Sequence, residues 1–260
     1  MKRDKYALYQ RSVQDPDADV SLLQRVYGKR FGRPPRLLRE DFCGTALLAC
    51  AWVRRHRDNR AWAIDLDPEP LAWCRTHNLA ALDEEQRRRI ALIRGDVRTT
   101  RTPRADVTVA FNFSYFLFKE RPQLLAYFRT ARASLGAEGM FAIDVYGGAD
   151  ALRRQTETRA QDGFDYVWDQ DLFDPITHDV VNHIHFAFRD GTRLNRAFTY
   201  HWRLWMLPEL RELLAEAGFS DVAVYWEGTD RRSNEGNGIF TRREHAPDDP
   251  AWIAYVAASR

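Results

Sequence analysis

Residues 36–53, R-L-L-R-E-D-F-C-G-T-A-L-L-A-C-A-W-V, constrain the fold more than any other stretch of the chain. A short strand pattern runs into a turn containing Gly44 and then directly into an apolar helical pattern. A second strand pattern, residues 61–65, follows and ends on Asp65. This order is that of the nucleotide-binding half of a doubly wound sheet. There the turn offers backbone N–H groups and a helix N-terminus to a ligand, and an acid about 20 residues further on suits ribose hydroxyls. A dinucleotide needs G-x-G-x-x-G for close backbone approach of its pyrophosphate. Gly44 is the single glycine of this turn, which disfavours a dehydrogenase.

The alternation continues through residues 36–146. Strand patterns at 36–39, 61–65, 90–94, 105–111 and 140–145 are separated by helical ones. One helix runs from Thr45 to about His56. The next is capped by Asp67 with Pro68 at its first position. A third starts at Pro122, with Leu124, Leu125, Phe128, Ala131 and Leu135 as its apolar stripe. Such repetition predicts a mostly parallel sheet covered on both faces.

After Tyr146-Gly147-Gly148 the period changes to two, at residues 164–171, 179–189 and 193–205, with Asp190-Gly191 as a hairpin signal. Phe164, Tyr166 and Trp168 share a face, as do Val180, Ile184, Phe186 and Phe188, and Phe198, Tyr200, Trp202 and Leu204. His183 and His185 point the other way. This reads as an antiparallel meander inserted into the α/β domain. Residues 150–163, with Arg153, Arg154 and Arg159, read as a solvated helix face. A helix from Pro208 stopped by Gly218, a strand at 219–226, a polar loop at 227–248 and a strand at 251–257 complete the chain. Before the sheet, Val20, Leu22, Leu23, Val26 and Tyr27 recur at helical spacing. One domain, 1–260, is expected: an N-terminal cap 1–33, a core of 34–148 and 206–260, and an inserted sheet or lid of 149–205.

On these residues the chain resembles the class I S-adenosylmethionine-dependent methyltransferases, of the small-molecule type. Their first motif is roughly acid-x-G-x-G-x-G. Aligned with it, Glu40 takes the acidic place, Phe42 the first glycine, Gly44 the second and Ala46 the third, a variant also found as acid-x-F-C-G-T/S-G/A. Asp65 matches the acid that holds the ribose, and Gly95-Asp96-Val97 the segment whose acid reaches the adenine amino group. L-G-A-E-G-M-F-A-I-D at 135–144 is like the family's turn into strand five, and E-L-x-x-L-L-x-E-A-G-F, ending at Phe219, is like its approach to the final strands. The resemblance covers about residues 34–148 and 206–257. It implies a seven-stranded Rossmann-like sheet in the order 3-2-1-4-5-7-6 with strand seven antiparallel, and S-adenosyl-L-methionine as cofactor. It further implies Tyr9, Glu40, Phe42, Cys43, Gly44, Thr45, Asp65, Leu66, Asp96, Val97 and Asn112 as cofactor contacts. For the first segment, a packing arm on the sheet and a cap over the cofactor are both open readings of Tyr6 and Tyr9.

Asn112-Phe113-Ser114-Tyr115 follows strand four, where ligands of open α/β sheets sit. It is similar to the N/D-P-P-Y/F motif of amino-methyltransferases but lacks both prolines. Asn112 and Tyr115 are therefore catalytic candidates, against a plain loop in which Tyr115 and Phe116 pack. Alternate aromatics of the meander suit a half-buried strand. In small-molecule methyltransferases an inserted sheet at this place commonly roofs the acceptor pocket, which makes Tyr146, Trp168, His183, Arg196, Tyr200 and Arg203 candidate substrate contacts, arginine suiting a carboxylate or phosphate. His178, His183, His185 and His201 lack a carboxylate partner at fixed spacing, and no metal is expected.

The 39 basic and 37 acidic residues nearly balance, which weighs against a dedicated nucleic-acid binder. Cys43, Cys50 and Cys74 read as buried thiols in a reducing cytoplasm, and no signal peptide or membrane-spanning apolar run is seen. A cytoplasmic monomer or homodimer is expected, transferring a methyl group to a nitrogen or oxygen of a small molecule. The alternative is a nucleic-acid or protein amino-methyltransferase, favoured by N-F-S-Y and the arginines.

Overall fold

Two helices precede the sheet, each opened by an aspartate. Asp4 accepts from the N–H groups of Tyr6 and Ala7 and starts α1 (Lys5–Val13). Asp15 accepts from Ala18 and starts α2 (Pro16–Phe31), which ends on left-handed Gly32. The computed structural model describes residues 3–229 and 236–260. There follow β1 (Leu37–Asp41), α3 (Leu47–Arg55), β2 (Arg60–Asp65), α4 (Pro68–Thr76), α5 (Glu84–Arg87), β3 (Ile90–Arg94) and β4 (Ala105–Ala110). A 3-10 turn (Ser114–Leu117) leads to α6 (Arg121–Ser134) and β5 (Leu135–Gly147).

β1 to β5 are parallel neighbours in the order β3-β2-β1-β4-β5. After α7 (Leu207–Glu216) come β10 (Asp221–Thr229), β11 (Gly236–Arg243) and β12 (Trp252–Ser259). β12 inserts antiparallel between β5 and β10. This is the doubly wound order expected from the sequence, with one addition. Among the described residues eight strands form the sheet rather than seven, because β11 pairs antiparallel with β10 at the edge. The sequence places a polar loop at 227–248, of which 230–235 lie outside the described residues. β11 is exposed on both faces for nearly its whole length, so it carries no hydrophobic alternation by which a strand is read.

Both faces of the main sheet are covered, as a parallel sheet requires. On one face Val107, Val109 and Ala142 pack with Leu23 and Tyr27 of α2 and Trp52 of α3. On the other, Phe141, Ile143 and Val145 pack with Phe128 of α6 and Leu213 and Leu214 of α7. Cys43, Cys50 and Cys74 are buried and unpaired. No helix among the described residues is long and apolar enough to cross a membrane.

A second sheet leaves the end of β5 and returns into α7. It comprises β6 (Gln155–Gln161), β7 (Phe164–Phe173), β8 (Asp179–Phe188) and β9 (Arg193–Arg203), antiparallel in chain order. β6 replaces the helix expected near residues 150–163. It too is an edge strand with both faces largely exposed, and Arg159 pairs with Glu157 along it at 2.7 Å. The exit from β5 depends on Gly148, whose φ is +100°. A Cβ there would lie 2.3 Å from the carbonyl oxygen of Pro250. The inner face of the second sheet, with Phe164, Tyr166, Ile184 and Phe186, packs on Leu8 of α1, while Val180 and Trp202 join the core around α6 and α7.

Candidate functional site

At the carboxyl ends of β1, β2 and β4 lies a crevice of about 330 Å3. One wall is the turn between β1 and α3. Phe42, Gly44 and Ala46 have φ of +56°, +52° and +52°, so all three positions that the family motif gives to glycine adopt the left-handed conformation. A non-glycine residue there costs about 1–2 kcal/mol. Packing holds it: the Phe42 ring meets Phe118 at 5.9 Å and Tyr127 at 5.5 Å, and Ala46 is fully buried. Ala46 offers no side chain to cap α3. The Glu40 carboxylate does so instead, accepting from the N–H of Ala49 at 2.9 Å. Burial pushes the Glu40 carboxyl well above its usual range.

Asp65 joins this turn to the loop after β2. Its Oδ2 accepts from the N–H of Gly44 at 2.7 Å and its Oδ1 from Asp67 at 2.9 Å. Beneath the turn is a network that the sequence reading missed. Arg39 is 1 % exposed. Its Nε donates to Asp41 Oδ1 at 2.7 Å, its Nη1 to Thr100 O at 2.9 Å and its Nη2 to Val97 O at 2.8 Å. The Tyr127 hydroxyl donates to Asp41 Oδ2 at 3.0 Å. Strand β1, α6 and the loop after β3 are thereby tied together. The signal was present as three consecutive charges, Arg39-Glu40-Asp41, inside a strand buried on both faces.

The floor is the segment after β4. Asn112 and Phe113 both have φ of +57°, and their N–H groups donate to Asp144 Oδ2 at 2.7 Å and Oδ1 at 2.9 Å. Asp144 is buried near the carboxyl end of β5. Burial pushes its carboxyl up to about 7, against the opposing effect of these two hydrogen bonds. The sequence reading quoted Asp144 but gave it no role. In the native state it keeps its proton to higher pH than in the unfolded chain. Stability should therefore fall as pH rises from about 4 to about 7, at up to about 1.4 kcal/mol per pH unit for one group. Asp19, raised to about 6 by burial, adds to the same trend. Denaturant titrations at about pH 4 and about pH 7.5 check this. Asp144→Asn should flatten part of the slope, and a slope of the opposite sign refutes the account.

Tyr115 does not reach the crevice. The 3-10 turn rolls it inward, where it is fully buried, donates to the carbonyl of Asp144 at 2.8 Å and packs on Phe116 and Phe128. Ser114 and Leu117 line the crevice in its place, with Asn112.

The opposite wall is aromatic. Tyr6 and Tyr9 come from α1, and Phe198, Tyr200 and Trp202 from β9. Tyr9 meets Phe198 at 5.1 Å, and Tyr200 stacks on Trp202 at 4.3 Å. Trp168 lies behind Tyr200 at 6.2 Å, and Tyr146 packs on Phe113 at 4.8 Å while accepting from Asn182. Neither lines the crevice. His183 sits on the other face of β8, with Thr199 at 2.9 Å and Asp171 at 3.4 Å. Arg203 is an odd number of residues from Tyr200, so strand alternation turns it away. It stacks on Trp205 at 3.8 Å and donates to Lys119 O and Glu209. Arg196 has the right parity with Tyr200, but β9 carries two extra residues between the pairs Ile184–Phe198 and Phe186–Leu194. Arg196 is left-handed at this bulge, φ +47°, and its guanidinium lies 3.9 Å from Asp171.

Tyr9, Glu40, Phe42, Cys43, Gly44, Thr45, Asp65 and Asn112 thus share the crevice with Tyr200. Leu66, Asp96 and Val97 are not in its lining. Leu66 is largely exposed, Val97 is buried under Arg39, and Asp96 is gripped by the Arg98 guanidinium at 2.6 Å, which holds its carboxyl below the usual range. Gln14, Asp41 and Phe111 line it without having been foreseen. No group of three metal-ligating side chains is arranged to hold an ion among the described residues. A second cavity, of about 450 Å3, lies between α1 and the hairpin tips of the second sheet. Its Arg3 and Arg11 are already engaged by Asp190 and Phe188, and by Asp162 and Phe164, and we regard it as the seam that docks α1.

Solved structures superpose on nearly the whole chain. A methyltransferase from Clostridium acetobutylicum, described as S-adenosylmethionine-dependent, covers 98% of this chain and 96% of its own at 17% identity, with a TM-score of 0.66. DesVI of Streptomyces venezuelae gives the same coverage and identity and a TM-score of 0.68. CalS10 of Micromonospora echinaspora, an amino pentose methyltransferase solved with S-adenosylmethionine bound, covers 100% of this chain and 98% of its own at 14% identity, with a TM-score of 0.68. The fold is that of S-adenosylmethionine-dependent methyltransferases. No protein-family model matches the sequence, and no curated protein matches it. The methyltransferase fold is therefore carried here by the path of nearly the whole chain.

Proposed function

We propose that this chain is an S-adenosylmethionine-dependent methyltransferase acting on a nitrogen of a small-molecule acceptor. The observation that carries this reading is a single crevice with the Gly44 turn and Asp65 on one side and Tyr9, Phe198, Tyr200 and Trp202 on the other. The residues fit the cofactor. Asp65 offers an acceptor for ribose hydroxyls, the buried amide oxygen of Gln14 has no partner among the described residues, and aromatic faces suit a sulfonium cation. Bound there, S-adenosylmethionine supplies an electrophilic methyl group.

The chain's own part is alignment and exclusion of water. Holding an acceptor in line with the methyl lowers the barrier through lost freedom already spent in binding. In this reading α1 is the cap and residues 149–205 are the lid that closes the acceptor side, with Asn112 on the floor presenting the acceptor. No imidazole lines the crevice among the described residues, and Glu40, Asp41 and Asp65 are engaged by Ala49, Arg39 and Gly44. A neutral amine needs no base before attack, whereas a hydroxyl does, which favours nitrogen over oxygen. KedS8, a sugar N-methyltransferase from Streptoalloteichus, supports the same acceptor atom. The cavity has the size of small-molecule sites, which favours such an acceptor over a nucleic acid.

Methyl transfer from S-adenosylmethionine to a panel of amino sugars and other small amines tests this. In Asn112→Ala, turnover should fall roughly tenfold to a hundredfold while affinity for S-adenosylhomocysteine stays within about twofold. Unchanged turnover would return Asn112 to a plain loop residue.

A further inference from the structure

One buried polar atom of the crevice has no hydrogen-bond partner among the described residues. Gln14 Oε1 is buried without a hydrogen-bond donor, and Gln14 lines the crevice together with Glu40, Gly44 and Thr45. Its position is fixed by the end of α1, where its backbone N–H donates to Gln10 O at 3.3 Å. One helical turn earlier, Gln10 Nε2 donates to Thr45 Oγ1 at 2.7 Å. Gln14 is the extended residue that caps the end of α1, so this end of α1 is set against the Gly44 turn.

A buried amide oxygen left unpaired is costly, and a ligand that brings a donor recovers that cost. The same crevice is lined by the carboxyl groups of Glu40, Asp41 and Asp65; Arg39 already balances Asp41, while Asp65 accepts from the N–H groups of Gly44 and Asp67. The cation among the described lining residues, Lys5, is held by Glu69 at 3.0 Å. Such a wall suits a cationic donor and not a carboxylate. The methionyl end of S-adenosylmethionine carries a compact cation of this kind, an ammonium with three N–H donors. We propose that Gln14 Oε1 receives the α-ammonium of the cofactor's methionyl end, which makes Gln14 a cofactor-binding residue. The assignment rests on the methyltransferase reading above.

Calorimetry with two probes tests it. S-adenosylhomocysteine keeps the ammonium, and 5′-methylthioadenosine keeps the nucleoside and thioether but lacks the whole amino-acid end. Gln14→Ala should weaken S-adenosylhomocysteine by about tenfold to a hundredfold, the range for a hydrogen bond to a charged group. Its affinity for 5′-methylthioadenosine should stay within about twofold, which also shows that the variant is folded. Gln14→Glu, which keeps acceptors and removes donors, should bind S-adenosylhomocysteine at least as well as wild type. Equal losses for both probes in Gln14→Ala, or no loss for either, overturn the assignment alone. So does a Gln14→Glu variant weaker than Gln14→Ala, because the amide would then be donating to the cofactor's carboxylate. If wild type binds neither probe, the methyltransferase reading falls and the assignment with it.

Discussion

Asp65→Ala is expected to weaken S-adenosylhomocysteine binding by about a hundredfold or more. A hydrogen bond to a charged group is worth about 1.5–3 kcal/mol, a ribose offers two hydroxyls, and each 1.4 kcal/mol is about tenfold. Asp65 also clips the N–H groups of Gly44 and Asp67, so the loss includes some loosening of the turn. Asp65→Asn keeps one acceptor and separates the two effects. Calorimetry decides: an alanine variant within threefold of wild type (a tolerance of roughly 0.7 kcal/mol) would exclude the ribose role. A wild-type protein that binds a nicotinamide dinucleotide but not S-adenosylhomocysteine would overturn the fold-based reading of the crevice.

The second large effect belongs to stability. Arg39→Met leaves Asp41 buried and without its cation, and breaking one side of a buried pair costs about 3–5 kcal/mol. For a chain of this size that corresponds to a fall in Tm of roughly 10 °C. The carbonyls of Val97 and Thr100 lose their donors too, so the loop after β3 should loosen. Replacing both partners, as Arg39→Met with Asp41→Leu, should recover part of the loss because no lone charge remains. Thermal melts of the three variants check this. A single variant that melts within about 2 °C of wild type, less than about 1 kcal/mol for this size, would show the pair to be dispensable.

The core sheet was legible because its signals are periodic. Alternating apolar strands and helices, Asp67-Pro68, Pro122 and Gly218 mark elements by local rules, and their order gives the parallel half of the sheet. β6 and β11 were not legible. Edge strands with both faces exposed lack the alternation that burial imposes, and polar composition reads as loop or helix surface. In the crevice, the turn, Asp65 and Asn112 followed from position at the ends of strands. Arg196 and Tyr115 did not, since a bulge and a 3-10 turn each rotate one side chain away from where simple periodicity directs it. Asp144 works through backbone groups of a distant segment, a pairing with no spacing in the sequence by which to find it, whereas the Arg39 network was marked only by the charges Arg39-Glu40-Asp41 within a buried strand.

The shape of the Phe42–Ala46 turn also bears on when its entropy is lost. A loop built on several glycines samples many backbone states while empty, and fixing each residue costs about 1–2 kcal/mol at the moment a ligand binds. Here two of the three left-handed positions carry side chains, and the Phe42 ring and the buried Ala46 methyl are already locked by their neighbours. The ordering takes place during folding, where it draws on a small net stability. Association then begins from a receptor already in its final shape.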